Sequence, residues 1–261
     1  MNHQESVKEF TMAFDMFYTP IGGFTKQLVS NNKKVAKLRY DLIHEEVHEL
    51  FDAIDNADFI EIIDALTDIL YVVYGAAVSF GLDLHTSFPK YLISRNIIDT
   101  FDKKNTHFEM VLGKYQSKES LTIKKNEFTE AYYSSHMKLV TDAMKKGLTA
   151  LTMCLIHFDA LDDLEHHLNY MLFSVYNMGK CLHIDLDKSF QIVQDSNMSK
   201  VCGSLNEAEK TVEWYHIHEK RYDSPKYYLR ENGKYIVRND STGKALKCIH
   251  YIPANFTSLL T

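Results

Sequence analysis

The seven residues HEEVHEL, at 44–50, carry two sets of metal-binding side chains on one short stretch. His44, Glu45 and His48 spell H-E-x-x-H, in which two histidines one helical turn apart can hold zinc while the glutamate handles a water. Glu45, Glu46 and Glu49 spell E-E-x-x-E. On a helix those three carboxylates converge on one side, a donor set suited to a hard ion such as magnesium. A second acidic series follows at Glu61, Asp64 and Asp68, spaced i, i+3, i+7. Asp68 stands inside TDILYVVYG, where a buried carboxylate is costly unless something cationic meets it. A magnesium ion held by two antiparallel helices satisfies Asp68 and the glutamates together, and manganese can substitute for it. Asp52, Asp55 and Asp58 read as solvated helix faces.

These carboxylates need helices to position them, and the pattern supplies helices. Four prolines and ten glycines in 261 residues leave few breakers, and apolar residues recur at helical spacing through most of the first 200 positions. Between 34 and 55, Leu38, Leu42, Ile43, Val47, Leu50, Phe51 and Ile54 step around one face. The next helix is predicted to start at Asp58, an N-cap, and to stop at Gly81; a shorter one follows over 85–97. The last sixty residues change character. YYLRENGKYIVR reads as a hairpin turning at Asn232-Gly233, and Lys244 and Lys247 in STGKALK are either solvated or phosphate-holding.

An internal repeat is also visible. EFTMAF at 9–14 matches EFTEAY at 127–132, and DLHTSF at 83–88 matches DLDKSF at 185–190. Between these anchors, residues 61–84 align without gaps to 163–186. The expected organisation is therefore an acidic repeat over 1–99, a linker over 100–122, a second repeat over 123–201 and a C-terminal extension over 202–261. The copies differ in polar residues. Asp64 and Asp68 correspond to His166 and Tyr170, and the second copy's counterpart of the E-E-x-x-E helix, within 144–161, has no glutamate. The second copy instead carries Ser196, Asn197, Ser199 and Lys200, groups able to donate to phosphate oxygens or a base edge. One composite site per chain, using both repeats, accounts for these complementary losses.

Together these residues resemble the all-α nucleoside triphosphate pyrophosphatases, which include MazG-like proteins, dimeric dUTPases and phosphoribosyl-ATP pyrophosphohydrolase. The family motif is E-E-x-x-E followed in a second helix by E-x-x-D. Glu45, Glu46 and Glu49 match the first part. For the second, Glu61 and Asp64 give a literal E-x-x-D, whereas taking Asp68 as the aspartate puts Ala65 three residues before it. SNMSK at 196–200, GKALK at 243–247 and YIPANF at 251–256 carry the resemblance into the second half. It implies an all-α fold in which two tandem repeats form a pseudo-dimeric four-helix-bundle core, with a small C-terminal β-hairpin. It further implies Mg-dependent cleavage of a nucleoside triphosphate to monophosphate and pyrophosphate, with metal on Glu45, Glu46, Glu49, Asp64 and Asp68. Glu45 or Glu46 would serve as base. Asn96, Ser196, Asn197, Lys200, Lys244 and Lys247 would contact substrate, and Phe17, Tyr18 or Phe24 could stack on its base.

Two rivals remain at this level. A zinc protease accounts for H-E-x-x-H, but the metzincin pattern needs glycine at 51, where Phe51 stands. His216 and His218 form a further metal-like pair that reads as packing or solvated. A nucleotide sensor without turnover is the other rival, since loss of one acidic set is how a pseudoenzyme can begin. The formal charge of −6 argues against a nucleic-acid binder, which needs a concentrated basic face. Cys154, Cys181, Cys202 and Cys248 lie far apart and read as free thiols in a reducing compartment. With its apolar stretch at 69–82 short of a spanning helix and no signal-peptide pattern at the start, the chain is expected to be soluble and cytoplasmic, as a monomeric pseudo-dimer or a further homodimer.

Overall fold

The computed structural model describes residues 2–95 and 130–259, without the side chains of 130–137. The linker at 100–122, the EFTEAY anchor's first residues and Asn96 lie outside the described residues. The described chain is built of helices: α1 (His3–Ala13), α2 (Lys26–Asn31), α3 (Lys33–Asp55), α4 (Phe59–Phe80), α5 (Leu84–Ser94), α6 (Glu130–Leu155), α7 (Leu164–Cys181), α8 (Leu186–Met198) and α9 (Leu205–His218). A small sheet, β1 (Pro225–Leu229), β2 (Tyr235–Asn239) and β3 (Lys244–Leu246), follows them. The fold is all-α with a small C-terminal antiparallel sheet. Two compact units divide it: 1–8, 17–190 and 256–261 form the first, and 9–16 with 191–255 the second.

Helix α3 buries one stripe, Ala36, Arg39, Ile43, Val47, Leu50 and Ile54, at steps of three and four residues. Helix α4 is buried nearly all round, from Ile62 to Phe80, and so occupies the centre of the first unit. It is long and apolar enough to cross a membrane by composition, but 83% of its most apolar window is buried inside the structure. The ends of α4 are set as the sequence predicts. Asp58 accepts hydrogen bonds from the Ile60 and Glu61 amides, and Gly81 closes the helix at φ 70°.

Gly81 is needed there twice over. Its left-handed backbone disfavours any side chain, and a Cβ would come within 2.5 Å of the Pro20 carbonyl oxygen. Gly81→Ala is expected to cost about 1–3 kcal/mol of stability, read from a denaturant midpoint.

The α3–α4 hairpin packs on the α6–α7 pair, α3 against α6 and α4 against α7, so the four long helices close a bundle. Tyr74 and Tyr176, which the repeat alignment pairs, hydrogen-bond side chain to side chain. Phe88 stacks on Tyr176 at 5.5 Å, and Phe190, the counterpart of Phe88, meets Tyr74 edge-on at 6.3 Å. His3 closes this layer, with Nδ1 3.1 Å from the Tyr176 hydroxyl and Nε2 3.1 Å from Asp187 Oδ1.

In the second unit α9 packs on β1 and β2 around Cys202, Ala208, Tyr215, Val237, Leu246 and Cys248. The hairpin is antiparallel with Tyr227 opposite Val237, and Gly233 takes φ 77° in its connection. That connection spans 230–234, wider than a two-residue Asn-Gly turn. STGKALK adds a third strand, pairing Val237 with Leu246, so the tail is a three-stranded sheet where a plain hairpin was predicted. None of the four cysteines forms a disulfide.

Candidate active site

Helices α3 and α4, joined by the short turn at 56–58, bring the two acidic series together. Glu46 is the half-buried centre. Burial raises its carboxyl first, and Asp68, Glu49, Glu45 and Asp64 each raise it further, to about 9. Glu49 is pushed up by burial and then by Glu45 and Glu61, an effect that a hydrogen bond with Glu46 partly offsets. Asp64 rises to about 6 through burial and the charges of Glu61 and Glu49. All five carboxylates expected at the metal therefore share one electrostatic field, and Glu61 belongs to it as well.

Every charge that raises these three carboxyls is another carboxylate on the two helices. Glu46, its proton affinity raised by this crowd, shares a side-chain hydrogen bond with Glu49. Among the described residues no three His, Cys, Asp or Glu side chains stand close enough to clasp an ion as they are. The donor chemistry nevertheless fits a hard divalent ion: every donor is a carboxylate oxygen, and Glu45, Glu49 and Glu61 are exposed and free to swing on their side-chain torsions.

The histidines of HEEVHEL serve differently. His48 Nδ1 donates to the His44 carbonyl oxygen at 2.8 Å, and the two rings stack 4.0 Å apart. With Tyr40 and Phe51 they make an aromatic ladder along α3. The ladder runs beside α6, where Thr152 donates to the Tyr40 hydroxyl and the Lys145 ammonium lies over Phe51 at 5.6 Å. That packing gives H-E-x-x-H a structural use, and among the described residues no third zinc ligand joins it.

The family model for phosphoribosyl-ATP pyrophosphohydrolase matches residues 7–91, which hold both acidic helices. Along its whole length the chain is also similar to uncharacterized protein L479 of Acanthamoeba polyphaga mimivirus: 32% identical over 259 residues, covering 98% of this chain and 94% of the relative. No solved structure matches. Residues 7–91 belong to the phosphoribosyl-ATP pyrophosphohydrolase family, in the MazG-like nucleoside triphosphate pyrophosphatase superfamily, and the chain as a whole shares a family with the mimivirus protein. The matched domain is accordingly of the pyrophosphohydrolase type that acts on nucleotides.

Beyond this MazG-like domain the residues of the second half form their own polar cluster, inside the second unit. Ser196 donates to the Tyr251 hydroxyl at 3.1 Å, and Ser199 Oγ accepts from the Ile252 amide at 2.9 Å. Lys247 lies over the Tyr251 ring at 4.4 Å. SNMSK, GKALK and YIPANF are thus gathered through Tyr251. Lys200 donates to Asn197 Oδ1 and lies over Phe10 at 5.7 Å, while Lys244 is exposed on β3. His216 and His218 are exposed on the last turn of α9. Phe17 and Tyr18 are exposed in the loop after α1, and Phe24 is half-buried.

One residue of the first unit escaped the sequence reading. Arg39 lies on the inward stripe of α3, exactly two turns' worth of sequence before Glu46 and only 8% exposed. Its interruption of the apolar run VAKLRYDLI was the available signal. A buried arginine in an amphipathic helix asks for an anion.

Proposed function

We propose that this protein is a Mg-dependent nucleoside triphosphate pyrophosphohydrolase, converting a nucleoside or deoxynucleoside triphosphate to its monophosphate and pyrophosphate. The observation that carries the reading is the field around Glu46, where burial and the carboxylates of Asp68, Glu49, Glu45 and Asp64, on two adjacent helices, raise its carboxyl to about 9. Glu45, Glu46, Glu49, Asp64 and Asp68 would hold the metal. Bound there, magnesium supplies charge neutralisation of the triphosphate and a more acidic water. The chain's own carboxylates do the rest. Glu45 or Glu46 accepts the proton of the attacking water, whose oxygen bonds to the α-phosphorus as the α–β anhydride bond breaks and the departing pyrophosphate takes the electron pair.

The same reading assigns phosphate contacts to Ser196, Asn197, Lys200, Lys244 and Lys247, on the strength of the family resemblance. Lys200→Ala is expected to lower pyrophosphate release about tenfold, as loss of one charge-assisted contact does. A fully active variant removes SNMSK from substrate binding.

We propose too that the two halves arose by duplication, supported by the contacts between counterparts Tyr74 and Tyr176 and by the reciprocal pairs Phe88–Tyr176 and Phe190–Tyr74. Reciprocal contacts of this kind are what a two-fold interface produces. The protein is expected to work in the cytoplasm.

The deciding experiment is turnover of a panel of ribo- and deoxynucleoside triphosphates, beginning with dUTP and dCTP and including phosphoribosyl-ATP, with magnesium or manganese and with products identified. Pyrophosphate with the matching monophosphate supports the proposal. Nucleotide binding with no pyrophosphate from any member of the panel replaces it with the sensor reading. Within the site, Asp64→Asn and Asp68→Asn are each expected to lower activity by about 100-fold, and Glu61→Gln by less, because Glu61 raises Asp64 and Glu49 and is not among the main groups that raise Glu46.

A further inference from the structure

Arg39 is buried, and among the described residues no counter-charge meets it. Among the described residues its guanidinium is met by a neutral hydroxyl, Nε donating to Ser79 Oγ at 2.7 Å, and by no carboxylate. Gly75 leaves room for it, since a Cβ there would stand 3.1 Å from one guanidinium nitrogen. Burial alone acts on its charge, with no acidic group offsetting it. Unpaired buried charges are rare because an ion taken out of water needs an opposite charge close by.

On the same helix the carboxylates of Glu45, Glu46 and Glu49 crowd together and raise one another. Glu46 lies seven residues after Arg39, about 10 Å along α3 at 1.5 Å per residue, and on the same side. The partners across the hairpin keep this order, Asp68 acting on Glu46 and Gly75 facing Arg39. Helix α3 thus presents crowded carboxylates at one level and, two turns away, a guanidinium that no carboxylate among the described residues meets. The two do not neutralise each other, and a ligand that carries a divalent cation at one end and phosphate oxygens at the other satisfies both.

We propose that Arg39 is the anion-binding residue of the carboxylate site and takes the polyphosphate of a metal-bound nucleotide. The proposal rests on the function proposed above for where the substrate lies, but its test does not require turnover. Guanidinium is suited to the task, with a planar fork that meets phosphate oxygens in pairs and a charge that persists when buried.

The test measures binding of Mg-pyrophosphate and Mg-tripolyphosphate by calorimetry, together with thermal stability without ligand, for wild type, Arg39→Met and Arg39→Lys. Replacing an unpaired buried charge by an apolar side chain of similar volume is expected to leave stability unchanged or higher. Polyphosphate binding is expected to weaken roughly 10- to 100-fold in Arg39→Met, and less in Arg39→Lys, which keeps the charge and loses the fork. Magnesium affinity measured without phosphate should stay the same in both. A purely structural arginine gives the reverse: Arg39→Met less stable, with polyphosphate binding intact, and that result overturns the proposal. The two readings fail separately. A wild type that turns over nucleotides while Arg39→Met binds polyphosphate normally removes Arg39 only, whereas polyphosphate binding through Arg39 without pyrophosphate release from any nucleotide removes the enzymatic function and leaves this site standing.

Discussion

Glu46→Gln is expected to abolish pyrophosphate release, by about 100-fold or more, while making the metal-free protein more stable at alkaline pH. The two effects have one cause. Burial and four neighbouring carboxylates lift the Glu46 carboxyl from its ordinary 4.5 to about 9, so the folded chain holds a proton there that the unfolded chain has released. Between those two values the native state binds more protons than the unfolded state. Stability therefore falls as pH rises through the window, and it is least above about 9, where the native site must carry the full charge. Glutamine keeps the shape and hydrogen-bonding capacity without the charge, so the variant's stability should be flatter with pH from 5 to 9, with urea midpoints as the readout. Asp64, raised to about 6, adds a shallower slope of the same sign at the acidic end and persists in the variant. Magnesium should reverse the wild-type trend: it displaces the proton, so its affinity rises with pH and its binding releases protons into the buffer. A wild type whose metal-free stability climbs from pH 5 to 9 would contradict the field described here, whatever its activity.

The acidic half of this site was legible because it is local. E-E-x-x-E and the second series each lie on one helix, and a three-residue connection leaves the two helices little choice but to face each other. The capping signals of α4 were likewise local, since Asp58 and Gly81 act on the backbone within a turn of themselves. What the pattern could not rank was the claim of Asp64 against that of Asp68. The field around Glu46 includes both, because side chains four residues apart on α4 reach the same neighbour on α3. Arg39 was missed for a related reason. A cation in an amphipathic helix normally snorkels to water, and only the packing of α4, with Gly75 against the guanidinium, shows that this one does not. H-E-x-x-H was the weaker of the two readings of this stretch for a physical reason as well: the spacing that suits zinc also stacks two imidazoles, and α6 makes that stack part of a packed ladder. The third strand of the tail was hidden in STGKALK because a three-residue strand is too short to show an alternating pattern.

The paired aromatic layer beneath the site leads to the largest expected effect on stability. Phe190 is fully buried and packs on His3 at 4.1 Å, Tyr71 at 5.5 Å and Tyr74 at 6.3 Å, so Phe190→Ala removes a ring that α4 has no side chain to replace. The expected cost is about 3–5 kcal/mol, a third or more of what a domain of ordinary stability has in hand. If the halves are copies packed about a pseudo-two-fold axis, Phe88→Ala should cost a similar amount, since Phe88 is as deeply buried and stacks on Tyr176 as Phe190 meets Tyr74. The two sites are joined through the Tyr74–Tyr176 hydrogen bond, so the double variant should depart from additivity by about 0.5 kcal/mol or more. Urea unfolding of the two single variants and the double variant reads all three numbers. Phe88→Ala with little or no cost would break the equivalence and with it the duplication. Tyr71 and Tyr74 sit one and two turns beyond Asp68 on α4, so softening this layer should also loosen the helix that carries Asp64 and Asp68. Residual activity per folded molecule should then fall more in Phe190→Ala, which faces α4, than in Phe88→Ala, which faces α7.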